Sequence, residues 1–372
     1  MPDAGSGIYR KLEETLFSRS HLAGLSAMVV GAGALGNEVA RHLGLLGLAH
    51  VTVVDPDHVE PSNLPRSFLF WSGDYVGRNK AWSLASAAAT LFPATKWIAR
   101  ETEIADIGYK TIAGADLVFS CVDSDLARLE IGYIARQVGV MVADGGLGRD
   151  DHSYGRVSIF PAAVRSACYG CFLGPRKRRE LLETWHSSLR SCTDPPEDPR
   201  SSASTPTMGA IIASIQVELG LRSLLEPAGD DQKSRSIDIR LHPLRSLTEF
   251  TTEVSVACPF HSFDRAALWP LPAAESTFGD LLAASSADAI VLDWPICLHA
   301  RCMACGHEWS PKLRLARLRR RGYCPVCRSR SFLELDTLRT ITADSEFARV
   351  SPEALGLPPD HLFHLQRRAI ST

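Results

Sequence analysis

Ten cysteines are present in this 372-residue chain, and six fall into three C-x2-C pairs, Cys168/Cys171, Cys302/Cys305 and Cys324/Cys327. A fourth pair of a different kind, Cys258-Pro-Phe-His261, ends in an imidazole. Thiolates at this spacing read as metal ligands before they read as disulfides. Cys302-x2-Cys305-Gly-His-Glu-Trp, followed after eighteen residues from Cys305 by Cys324-Pro-Val-Cys327, offers two knuckles and four thiolates, the arrangement of a zinc ribbon. Such a site is closed to substrate, so its Zn²⁺ would supply folding energy to a small unit. Four ordinary thiols are the alternative. Cys121 lies in an apolar run and reads as packing.

A second constellation handles phosphate. Gly31-Ala-Gly33-Ala-Leu-Gly36 follows the apolar run Ala27-Met-Val-Val30, and Asp55 lies nineteen residues beyond Gly36. Glycines there allow a tight turn and bring an anion close to free N–H groups at a helix N-terminus, while the acid can hold a ribose hydroxyl. The next segment, Asp55-Pro-Asp57-His-Val-Glu-Pro-Ser-Asn63-Leu-Pro-Arg66, and then Lys80, add an amide, a guanidinium and an ammonium. A dehydrogenase needs only the ribose acid here, whereas this set suits a polyphosphate. Asp123, where a strand should end, is placed to hold Mg²⁺ near those phosphates. Gly31, Gly33, Gly36, Asp55 and Asp57 are the nucleotide-binding candidates, and with Asn63, Arg66, Lys80 and Asp123 they fit a site for a triphosphate and a metal.

These groups need a scaffold, and the hydrophobic pattern supplies one. Strand 27–30, a helix over 37–50, and strand 50–55 make a βαβ unit of a doubly wound parallel sheet. A helix at 80–91, an extended run at 96–103, a strand at 115–121, a helix at 125–138 and a strand at 139–143 continue it, and Arg156–Phe160 suggests an antiparallel addition. An amphipathic helix is expected at 8–24, a polar functional loop over 174–206 and a helix at about 208–225. Apolar residues are 45% and charged residues 22% of the chain, enough for a sizeable core. Forty basic against forty-two acidic residues exclude reading the whole chain as a nucleic-acid or membrane-surface binder. The basic run Arg314 to Arg321 reads as a solvated loop, and nucleic-acid binding is not expected. No apolar run approaches the ~20 residues that a bilayer span needs, and the start has no signal-peptide core, so a cytoplasmic protein is expected.

The run with D-x-D-x-V-x-x-S-N-L-x-R, a lysine fourteen residues later at Lys80 and Cys121-Val-Asp123 resembles the adenylating domain of the ThiF/MoeB/HesA family, the superfamily of ubiquitin-activating enzymes. The resemblance covers about residues 8–261, with Pro65 and Ser124 replacing the usual Gln or Asn and Asn. It implies a Rossmann-like α/β domain over 1–261 and an added unit over 262–372 containing the ribbon at 302–327. It also implies the activity. The C-terminal carboxylate of a ubiquitin-like or sulfur-carrier β-grasp protein attacks the α-phosphate of ATP, leaving an acyl-adenylate and pyrophosphate.

By the same resemblance Asp55 binds ribose, Asn63, Arg66 and Lys80 contact phosphates, and Asp123 holds Mg²⁺. Arg10 in Tyr9-Arg10 matches the family's arginine supplied across a homodimer, with an exposed helix arginine as the alternative. Cys168/Cys171 match its first zinc pair, completed here by Cys258 and His261; exchange of partners with Cys324/Cys327 stays open. Cys192 stands where some members form a thioester with the activated carrier, with a free loop thiol as the alternative. The 262–372 unit is expected to recruit the carrier or a downstream conjugating or sulfur-transfer protein. A peptide or tRNA-linked amino acid as substrate, or a non-catalytic scaffold subunit, are the other readings.

Overall fold

The computed structural model describes residues 9–148, 151–163, 166–186, 205–226, 233–243, 245–260, 268–271, 273, 275–358 and 360–367. Of these, the residues within 1–105, 111–173 and 200–263 form one compact unit, and those within 106–110, 174–199 and 264–372 a second. Segment 106–110 and the helix Pro175–His186 thus belong with the second unit although they precede residue 262.

The first unit is built on an eight-stranded sheet. Its strands are β1 (Ser26–Val30), β2 (His50–Val54), β3 (Lys96–Arg100), β4 (Leu117–Ser120), β5 (Met141–Leu147), β6 (Tyr154–Phe160), β7 (Ser234–Arg240) and β8 (Ser246–Thr252). They lie in the order β3-β2-β1-β4-β5-β6-β7-β8, parallel through β5 and antiparallel beyond it. β1 sits between β2 and β4, so the strand order reverses there and opens a crevice at the carboxyl ends of β1 and β4. The parallel strands are apolar because both their faces are covered, as Val29, Val51, Val53 and Phe119 in the main core illustrate. Helix Ala34–Leu46 follows the glycine loop and stops at Gly47, whose φ of 71° ends the helix in a left-handed turn.

Several expectations are corrected. Residues 9–17 form turns rather than a helix, and only Arg19–Leu22 is helical. Thr15 Oγ1 donates to the Leu12 carbonyl and accepts the Phe17 N–H, and such local bonds compete with the helical ladder. The polar stretch after 174 contains the helix Pro175–His186, which buries Leu181 and Trp185 one turn apart. Lastly, one apolar helix, Pro206–Leu225, is long enough to cross a membrane by length and composition. It instead packs on the sheet, burying Met208, Ile212, Val217 and Leu221, and its apolarity is that of a core helix.

The second unit is a six-stranded antiparallel sheet: β9 (Leu268–Pro270), β10 (Ala289–Cys302), β11 (Glu308–Trp309), β12 (Leu313–Arg314), β13 (Phe332–Thr342) and β14 (Leu362–Gln366). β10 is the spine, pairing with β11, β12, β13 and β14. The basic run is a helix, Leu315–Arg321, rather than a loop, because Leu315 and Leu318 bury in a small core with Cys297 and Phe332. Its neighbour Arg314 bonds Asp106 at 2.6 Å, Arg317 meets the same carboxylate at 2.9 Å, and Arg319 pairs with buried Glu334 at 2.8 Å.

Candidate functional site

The carboxyl ends of β1, β2 and β4 assemble one crevice. Gly31 has a φ of 96°, and a Cβ there would lie 2.6 Å from the Cys121 carbonyl oxygen, so glycine is required by the turn itself. A Cβ on Gly36 would lie 1.9 Å from the Gly31 carbonyl oxygen. Gly33 differs: a Cβ there meets no atom within 4 Å, and its φ is −76°. The protein's own packing does not explain that glycine. It stands at the N-cap of helix Ala34–Leu46, where backbone N–H groups and the helix dipole favour an anion.

Asp55, at the end of β2, is buried, and its two carboxylate oxygens accept the N–H groups of Ala32 and Asp57 at 2.7 and 2.8 Å. Burial pushes its carboxyl up from the ordinary range, while the Lys80 ammonium and the two N–H donors pull it back. The glycine loop and the acid are thus one hydrogen-bonded unit. Lys80 begins helix Lys80–Leu91; its Nζ lies 3.7 Å from exposed Asp57, and its N–H donates to the Asp57 carbonyl. Asn63 is buried in the 3-10 turn Pro61–Arg66, and its Oδ1 accepts the Glu60 N–H at 3.0 Å. That oxygen is committed, so an anion would meet Asn63 through its amide donors. Arg66 is half-buried at the end of the same turn, and Asp123 is exposed just past β4.

Arg10 is exposed in the 9–17 turns and makes no hydrogen bond or ion pair with the other candidates among the described residues. Cys192 and His261 lie outside the described residues. Cys121 packs against the main core, where burial pushes its thiol up, away from thiolate chemistry.

Residues that sequence reasoning passed over hold this site in shape. Asn79 caps helix Lys80–Leu91 through the Trp82 N–H and donates to the carbonyls of Asp55 and Asp57 at 3.0 and 3.1 Å. Asn37, fully buried, donates to the carbonyls of Ala32 and Gly33 and accepts the Leu69 N–H, which joins the glycine loop to the segment after Arg66. Beneath Asp123, Arg128 pairs with buried Asp144, whose other oxygen accepts the Ser120 hydroxyl at 2.6 Å. Gln216 donates to the carbonyls of Ser120 and Ala143, pinning β4 and β5 to the core helix. Each is a polar residue inside a helical pattern, or next to a motif, and that position was the available signal.

The cysteines gather into two sets. The sulfurs of Cys302, Cys305, Cys324 and Cys327 all lie within 4.8 Å of one another, as do those of Cys168, Cys171 and Cys258. Four convergent thiols fit a tetrahedral soft metal, and three leave a position for one more ligand. The alternative joining Cys168/Cys171 to Cys324/Cys327 is not what forms.

The profile of the ThiF family matches residues 14–259. Among curated proteins, the chain is 33% identical over 150 residues to the adenylyltransferase and sulfurtransferase UBA4 of Eremothecium gossypii, covering 39% of this chain and 32% of that protein. It is 45% identical over 94 residues to human ubiquitin-like modifier-activating enzyme 7, covering 24% of this chain and 8% of that one. The chain thus matches about a third or less of the length of these relatives. Two solved structures share its fold. MccB of E. coli with AMPCPP and selenomethionine MccA has a TM-score of 0.50 at 16% identity, over 66% of this chain and 69% of that one. Selenomethionine PaaA has a TM-score of 0.51 at 17% identity, over 68% and 84%.

Proposed function

The chain belongs to the ThiF family, and from that premise we propose that it uses ATP to adenylate the C-terminal carboxylate of a small β-grasp protein, either ubiquitin-like or a sulfur carrier. The observation that carries the reading is that Gly33, Asp55 and Asp123 follow the carboxyl ends of three adjacent parallel strands, with Lys80, at the start of its helix, 3.7 Å from Asp57. In it Asp55 would hold the ribose. The open side of Gly33 and the N–H groups of the following helix would receive phosphate. Asn63, Arg66 and Lys80 would neutralise charge that builds on the phosphate oxygens, and Asp123 would hold Mg²⁺. A carboxylate oxygen of the acceptor forms a bond to the α-phosphorus, the bond from that phosphorus to the bridging oxygen breaks, and pyrophosphate leaves with the electron pair.

The relatives support this acceptor class, since one is an adenylyltransferase and sulfurtransferase and the other a ubiquitin-like modifier-activating enzyme. Where transfer follows adenylation, Cys192 is the proposed thiol, displacing AMP to form a thioester. Both cysteine sets are proposed to hold Zn²⁺ in a structural role, the second completed by His261.

The test is ATP–pyrophosphate exchange with Mg²⁺ and a panel of β-grasp proteins ending in Gly-Gly, beside short peptides. Exchange that needs one β-grasp protein and disappears in Asp123→Ala is the expected result. Exchange with peptides alone would move the protein to peptide modification. An Asp123→Ala variant as active as its parent would remove Asp123 from the reading.

A further inference from the structure

The Cys168, Cys171 and Cys258 set reaches the Asp123 segment through one side chain. Tyr169 lies between Cys168 and Cys171, in the one-turn helix Tyr169–Phe172. Its ring is only 9% exposed and packs edge-on against Phe160 at 6.2 Å. Its hydroxyl leaves the knuckle and donates to Asp125 Oδ1 at 2.7 Å. Asp125 is the first residue of helix Asp125–Gln137 and lies two residues past Asp123.

The same short segment is gripped from its other end. Arg128 Nη2 donates to the carbonyl of Val122, the residue before Asp123, at 2.7 Å, and to the carbonyl of Gly145 at 3.1 Å. The guanidinium also pairs with Asp144 and lies 5.9 Å over the Tyr169 ring. Asp123 itself is exposed, at the end of a strand, and a loop there would wander without restraint. Its neighbours on both sides are tied to buried groups, Val122 to the Arg128 guanidinium that bonds β5 and Asp125 to the phenol inside the cysteine knuckle.

We propose that Tyr169 is a positioning residue that braces the Asp123 loop against the cysteine knuckle, so that this knuckle fixes the placement of the Mg²⁺-holding carboxylate as well as the local fold. The inference rests on the assignment of Asp123 to the metal of the nucleotide complex. The Tyr169 phenol and the Asp125 carboxylate form the contact that the proposal uses, and removing the hydroxyl should loosen Asp123 without disturbing the glycine loop.

The experiment needs no acceptor protein. Mn²⁺ replaces Mg²⁺ as a paramagnetic probe, and its binding to the full chain in the presence of AMPCPP is followed by electron paramagnetic resonance. Metal-free AMPCPP affinity, thermal stability and the zinc content of each variant are measured in parallel. For Tyr169→Phe the Mn²⁺ dissociation constant should rise about three- to tenfold, the worth of one net hydrogen bond, with metal-free AMPCPP affinity and zinc content unchanged. Asp125→Ala breaks the same contact from the other side and should match it, while Asp125→Asn, which keeps an acceptor oxygen, should recover most of the affinity. Asp123→Ala should abolish nucleotide-dependent Mn²⁺ binding. If Asp123→Ala abolishes it and both contact-breaking variants bind Mn²⁺ like the parent, the brace is refuted and the Asp123 assignment stands. Equal losses with and without metal would mark Tyr169 as merely structural and refute it too. Mn²⁺ binding unaffected by Asp123→Ala would overturn the assignment and the brace with it.

Discussion

Acidification from pH 7.5 to 4.5 should weaken the second unit through one histidine. His361 is 3% exposed, with its ring tilted against Tyr109 at 4.7 Å and edge-on to Phe363 at 5.0 Å, and its Nδ1 has no hydrogen-bond partner. Burial lowers its pKa from 6.5 to about 4; Asp293 and Asp360 pull it up, while His364 and Arg314 add to the depression. Asp293, 3.8 Å away, is already engaged by His364 at 3.0 Å and by the Tyr109 hydroxyl at 2.6 Å, and these partners hold its own carboxyl below the usual range. As the pH falls below about 6.5 the unfolded chain takes up a proton at this position and the folded protein refuses it until about 4. The unfolded state then binds more protons, so stability present at neutral pH is lost on the acid side. The linkage relation gives a loss of ~1.4 kcal/mol by pH 5.5 and ~2.5 kcal/mol by pH 4.5 from this group alone. Urea unfolding of the full chain at pH 7.5, 5.5 and 4.5, followed by tryptophan fluorescence, measures the total. The same series on His361→Phe, which keeps a ring in place, subtracts every other titrating group. A parent and variant with parallel pH dependence would refute the reasoning, because the buried neutral imidazole is then not what acid attacks.

The three glycines of the loop should separate by function. Gly33→Ala should fold with stability within about 0.5 kcal/mol of the parent, since its Cβ meets open space, yet bind ATP more weakly by calorimetry. Gly31→Ala and Gly36→Ala should instead lower the melting temperature, because their Cβ atoms would collide with backbone. In the ribbon, Cys324 is fully buried with its sulfur 3.7 Å from that of Cys305. Cys324→Ser should lower zinc per chain by one in atomic absorption and expose the β10–β13 amides to hydrogen exchange, and a strong chelator should do the same to the parent.

Much of the crevice was readable before any coordinate. Gly31, Gly33, Gly36 and Asp55 announce themselves because a phosphate-binding turn constrains consecutive residues, and the strands around them show as apolar runs of the right length. The ribbon was equally readable, since each knuckle closes over four residues. What escaped was long-range or weakly amphipathic. Helix Pro175–His186 offers few apolar positions, and Leu181 and Trp185 gain their meaning only from a core formed far along the chain. The basic run Arg314 to Arg321 looked solvated because the carboxylates that answer it are Asp106, some two hundred residues earlier, and Glu334 across the ribbon.

Local chemistry in the chain therefore marks which groups are the candidates for a nucleotide and for a metal, because those patterns are written within a few residues of one another. Tertiary structure alone decided what holds them still. Asn79 ties helix Lys80–Leu91 to β2, Arg128 ties the Asp123 loop to β5, and Tyr169 ties it to the cysteine knuckle. Those bonds join strands and turns that are neighbours only once the sheet has formed, and a hydrogen bond depends on distance in space, which sequence spacing does not report.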